Sequence, residues 1–215
     1  MMNLYRTLII VFGASLFPTF AAAGTGELCS GSISLSEGQW AQFAVDAAFM
    51  RNRLESRYAI VGSEGSDYWM EFEIATPTGM GTTIMKVLIP GWPYAEGAVK
   101  RVMMQLPIVE GMEAMPPMEM PPSSMQNDDL AEPIRMACAE LESGVEESVT
   151  VTAGTFSATR ISLRREGKDI WLSSDVPFGI VKFTDADDKG MELMAIGSDA
   201  ESGITAEPQK MPGMD

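Results

Sequence analysis

The sequence predicts a mainly β protein, an antiparallel meander with few and short helices, on three observations. Apolar residues recur with a period of two in several stretches, the mark of strands with one buried face. Gly and Pro punctuate those stretches every 8–15 residues, as hairpin connections do. The alternation recurs in the second half, where Val149 and Val151 alternate with Ser148, Thr150 and Thr152.

The chain opens on a leader. A short, weakly positive start ending at Arg6 precedes an apolar run, Thr7 to Phe20, and then Ala21, Ala22 and Ala23 before Gly24. This is the layout of a secretory signal peptide cleaved near Ala23–Gly24. The run is shorter than the roughly 20 residues a membrane-spanning helix needs, so no transmembrane span is expected. The mature protein is then periplasmic or secreted.

Strand candidates follow in order. Ala41, Phe43, Val45 and Ala47 alternate with Gln42 and Asp46; Arg57 to Val61 continues the pattern after a turn or break at Asn52 to Glu55. Tyr68, Met70, Phe72 and Ile74 alternate with Trp69, Glu71 and Glu73, so the first four share one face. Thr83 to Ile89 and Val99 to Leu106 complete a first half, residues 24–107. Residues 108–130 hold paired prolines (Pro116, Pro117, Pro121, Pro122) and no apolar period; they read as a loop or linker, because paired prolines favour extended chain and cannot join a central strand. A second half of the same domain spans 131–200. Its start, 131–142, is ambiguous because Pro133 fits only a first helical turn. Val149 and Val151, Phe156 to Arg164, Ile170 to Leu172, Ile180 to Phe183 and Met191 to Ile196 are strands, with a tight reversal at Glu166 to Asp169. Residues 201–215 are polar and read as a flexible tail.

Composition excludes several functions. Thirty acidic against 15 basic residues give a net charge of −15, which repels nucleic acid and anionic lipid. Histidine is absent, which removes Ser-His-Asp and Cys-His catalysis and imidazole metal ligands. No phosphate loop, nucleophile elbow or dinucleotide fingerprint occurs. The chain reads as a non-enzyme without a cofactor; a hydrolase using only carboxylates is the catalytic alternative that composition leaves open. Cys29 and Cys138 are the only cysteines. In an oxidising compartment they form a disulfide, worth about 4 kcal/mol by closing a loop of roughly 110 residues. Acylation of Cys29 is the other use; the preceding Gly26, Glu27 and Leu28 reverse the order a lipobox requires.

Three features carry candidate chemistry. Met112, Met115, Met118, Met120 and Met125 crowd the 108–130 segment, resembling the Met-rich loops of periplasmic copper-handling proteins. Thioethers select Cu(I), so Met112, Met115, Met118 and Met120 are candidate ligands; the alternative is loose packing over an apolar face. Asp185, Asp187 and Asp188 begin like a calcium loop, but Lys189 and Ile196 fill positions that require oxygen ligands, leaving a solvated turn. Trp92 and Tyr94 flank Pro93 in a loop, where they line a cavity mouth or clamp the loop onto the core.

From Ser148 to Gly197 the chain resembles a group of exported bacterial β-proteins of no established activity. The matching residues are Val151, Ala153, Gly154, Thr155, Phe156, Trp171, Asp175, Val176, Pro177, Gly179, Val181 and Lys182, and the stretch from Met85 to Val102 is similar as well. The resemblance implies a curved antiparallel sheet forming a half-barrel, like the lipoprotein carriers of the LolA/LolB type. Those carriers hold acyl chains in the concave face; on such a sheet the alternating Tyr68, Met70, Phe72 and Ile74, with the loop aromatics Trp92 and Tyr94, are the candidate ligand-binding residues. The expected partner is an apolar small molecule or lipid. The alternatives are the Cu(I) loop and a scaffold that meets an envelope protein.

Overall fold

The computed structural model describes residues 25–31, 33–46, 53–75, 81–107, 115–125, 131–164, 166–185 and 189–210. The expected leader, residues 1–23, and Ala47, Met112, Asp187 and Asp188 lie outside them. Two antiparallel meanders make one sheet. The first comprises β1 (Trp40–Val45), β2 (Leu54–Glu64), β3 (Asp67–Ala75), β4 (Thr82–Ile89), β5 (Arg101–Gln105) and β6 (Met118–Met120). The second comprises β7 (Val145–Val151), β8 (Gly154–Leu163), β9 (Lys168–Leu172), β10 (Ile180–Thr184) and β11 (Gly190–Gly197). They join where β1 pairs with β11, Val45 opposite Met191. A final strand, β12 (Gln209–Lys210), runs parallel to β6. The result is a curved, unclosed sheet of 12 strands, as the mainly β reading anticipates.

Alternation decides the faces. Tyr58, Phe72, Met85, Met104 and Met118 form one lateral row, each opposite the next on adjacent strands. Ile60, Met70, Val87, Val102 and Met120 form the next row on the same face. This inner face carries the main core, and two helices cover part of it. α1 (Gly26–Cys29) contributes the fully buried Leu28; α2 (Glu132–Ala139) contributes Ile134 and Ala137, three residues apart on one side. The ambiguous segment is thus a helix, and Pro133 sits in its first turn, where a missing N–H costs nothing. Cys29 and Cys138 are disulfide-bonded, with Cα atoms 5.2 Å apart, and tie α1 to α2.

The loop between β9 and β10 plugs the inner face. Phe178 is fully buried there at φ +64°, an uncommon conformation for a bulky residue. Gly179 follows at φ +78°; a Cβ at this position would lie 2.4 Å from a Leu28 methyl. Only glycine meets both demands.

Two segments differ from the sequence reading. Within 108–130, Met118–Met120 is a strand bonded to β5 and β12. Pro116, Pro117, Pro121 and Pro122 bracket it and hold it to three residues. Residues 201–210 are held against the outer face. The Glu71 carboxylate, fully buried on β3, accepts the Ser202 hydroxyl, the Gly203 N–H (2.8 Å) and the Ile204 N–H (3.4 Å). The Lys86 ammonium lies 3.6 Å away and donates to Ser202 Oγ at 2.7 Å. Glu71→Ala leaves the Gly203 and Ile204 N–H groups without their acceptor and the Lys86 ammonium without its counter-charge. We expect a loss of about 3 kcal/mol in urea unfolding, because removing one partner strands the others. Proteolysis should then trim the chain near Ser202.

Candidate functional site

The outer face is committed elsewhere. Arg57 lies over Trp40, Lys86 and Arg101 over Trp69, and Lys182 over Trp171, at 5.0–5.5 Å from each ring centroid. Such stacking covers the aromatic surface with charge. The 201–210 strap lies on the Trp69 region, where Ile204 packs with Trp69, Leu88 and Met103. The β7–β8 hairpin bends across β11, with the Ala153 N–H donating to the Leu193 carbonyl at 3.2 Å and Trp171 Nε1 to Glu147 at 2.6 Å.

The inner face is only partly filled. Trp92 and Tyr94 are 2% and 3% exposed. Trp92 Nε1 donates to the Phe178 carbonyl at 2.9 Å, and its ring meets Tyr94 and Phe178 edge-on at 5.7 and 5.6 Å. These rings, Leu28 and Ile134 belong to the same packed core.

Toward the opposite end of β1, β2 and β9–β11 an open cavity of about 330 Å³ remains. Its apolar lining is Val45, Tyr58, Ile170, Ile180, Phe183 and Met191, and Pro133 of α2 reaches its edge. The register explains the convergence: Met191 is opposite both Val45 and Phe183, and Phe183 is opposite Ile170. Asp46, Lys168, Asp185 and Lys189 bring charge to the lining. Arg53 donates to Asp46 at 2.9 and 3.3 Å, and this hydrogen bond holds the Asp46 carboxyl below the usual carboxylate range. Asp185 accepts the Lys189 N–H at 3.0 Å. Lys168 lies over the Phe183 ring at 5.6 Å. The volume is at the lower end of small-molecule sites, about 300–1,000 Å³.

None of the six residues proposed from the sequence lines this cavity. Tyr68, Met70, Phe72 and Ile74 do share the inner face, and Phe72 stacks on Tyr58 at 4.8 Å, one ring from the cavity. Met70 is fully buried beside them. Of the loop methionines, Met118 and Met120 stand on the inner face of β6, and Met115 is 53% exposed. Among the described residues, no group of three or more His, Cys, Asp or Glu side chains is placed to hold a metal ion. Nor is any helix there long and apolar enough to cross a membrane.

Burial, with a smaller contribution from neighbouring Tyr94, pushes the Tyr58 phenol well above its ordinary pKa near 10. A raised phenol favours the folded state fully below its unfolded pKa, and that contribution is lost as pH rises toward the folded value. The urea midpoint should therefore stay level up to about pH 10 and fall above it. Tyr58→Phe should flatten the fall; an unchanged fall would place its origin elsewhere.

Comparison of the chain with protein-family models, with curated proteins and with solved structures finds no match, so a functional reading rests on this geometry.

Proposed function

We propose that this is an exported, non-enzymatic β-protein that binds an apolar ligand on the inner face of a half-barrel, in the manner of periplasmic lipoprotein carriers. The observation that carries the reading is the cavity between β1, β2 and β9–β11: its lining is mostly apolar, with Asp46, Lys168, Asp185 and Lys189 bringing charge to it, and the neighbouring core leaves it open. Such a site takes an alkyl or acyl chain and leaves a polar head at Asp46, Lys168, Asp185 and Lys189. The disulfide and the leader-like first residues support export.

The test is a homologous series of alkyl ligands, titrated by displacement of an environment-sensitive apolar dye. Each added methylene should tighten binding by about fourfold until the cavity is full, since a buried methylene contributes about 0.8 kcal/mol. Val45→Phe fills the cavity from β1 and should weaken the longest ligand most. Absence of saturable binding overturns the reading. Recovery of a stoichiometric envelope protein and no lipid with the purified chain would favour a scaffold.

A further inference from the structure

Three methionines from three separate strands stand side by side. Met85 on β4 is the direct partner of Met104 on β5, and Met104 of Met118 on β6. Directly opposed side chains have Cβ atoms about 4.5–5.5 Å apart, and methionine's unbranched chain can swing its sulfur across that gap. All three are half-buried. Met120 shares their face, two residues along β6 and diagonal to Met104. The next row, Ile60–Met70–Val87–Val102–Met120, is largely branched aliphatic. Met85 and Met120 pack against the main core, whereas Met104 and Met118 fall outside that packing. The row therefore runs from the core at Met85 out to its edge at Met104 and Met118. Glu119, the nearest carboxylate in sequence, points to the other face and bonds Arg101 at 3.0 Å.

We propose that Met85, Met104 and Met118 form a binding site for a soft monovalent cation, Cu(I), with Met120 within reach as a fourth ligand. Thioethers bind Cu(I) and discriminate against hard cations, which need oxygen. The row's inner-face partner on β3 is Phe72, whose ring offers no oxygen to a competing ion. The site is independent of the apolar cavity and differs from a purely loop-borne one: Met118 is common to both, while Met85 and Met104 come from the sheet. Methionine also serves as plain packing, so the test must remove sulfur and keep volume.

Met104→Leu does this. Met103→Leu is the control, since Met103 neighbours it on β5 but faces the outer side. The full mature chain is titrated anaerobically with Cu(I) against a chromophoric Cu(I) chelator. In parallel, the methyl-labelled protein takes Ag(I), a redox-inert stand-in, under NMR. We expect one equivalent bound, and shifts in the Met85, Met104 and Met118 methyls. Affinity should be at least about tenfold weaker in Met104→Leu and unchanged in Met103→Leu. Failure to compete with the chelator overturns the proposal. So do equal losses in both variants, or shifts confined to methionines outside this row, such as the exposed Met115.

Discussion

Phe178→Ala should destabilise the protein by about 3–5 kcal/mol, the range for deleting a fully buried aromatic ring. The ring meets Trp92 edge-on at 5.6 Å and Tyr58 at 5.9 Å, so its loss opens a hole between the β4–β5 loop and the β2 surface. The backbone adds a second signature. At φ +64° alanine keeps the steric cost that phenylalanine pays, whereas glycine does not. Phe178→Gly should therefore be less damaging than Phe178→Ala, by about 1 kcal/mol, reversing the usual order for a buried site. Urea unfolding of the two variants measures both effects. Alanine as the milder change would mean that the loop relaxes away from this conformation.

The second large effect concerns the disulfide. Cys29 and Cys138 are 109 residues apart, and the bond between them restricts the unfolded chain accordingly. Replacing both with alanine should cost about 4–5 kcal/mol by the chain-entropy argument. The folded state loses as well. Leu28 is fully buried against Gly179 beside Cys29, and without the bond to α2 the four-residue α1 keeps the packing of Leu28 and the Thr25–Thr159 hydroxyl hydrogen bond at 2.7 Å. Oxidised and reduced protein compared in urea should show the same difference. Equal midpoints would mean that α1 docks without help from the bond.

The strand faces were legible because alternation needs no knowledge of partners. Tyr68, Met70, Phe72 and Ile74 share a face by spacing alone, and the pairing to β2 and β4 sets them on the inner side. What escaped depends on contacts that local pattern does not encode. β6 is three residues between two proline pairs, too short to alternate visibly. The 201–210 strap is polar and looks free; it is held by Glu71, whose place in β3 reads as an ordinary solvent-facing position. The cavity lies mostly at a seam between the two meanders, where Val45 meets Met191, and nothing in either segment announces the other. Tyr58 and Ile170 each read correctly as strand residues, yet only the tertiary pairing turns them toward a common space. The methionine row is hidden in the same way. Its members lie in different strands, and the register alone brings them level.

The ligand site stands or falls on the inner face, where the cavity between β1, β2 and β9–β11 stays open. The most direct measurement is solution NMR of methyl-labelled protein titrated with a medium-chain alkyl ligand. Saturable shifts are predicted at Val45, Ile170, Ile180 and Met191, with contacts from the ligand chain to the Tyr58 and Phe183 rings. Shifts restricted to outer-face methyls such as Ile84 and Ile204, or no saturable shifts at all, would contradict an inner-face ligand site.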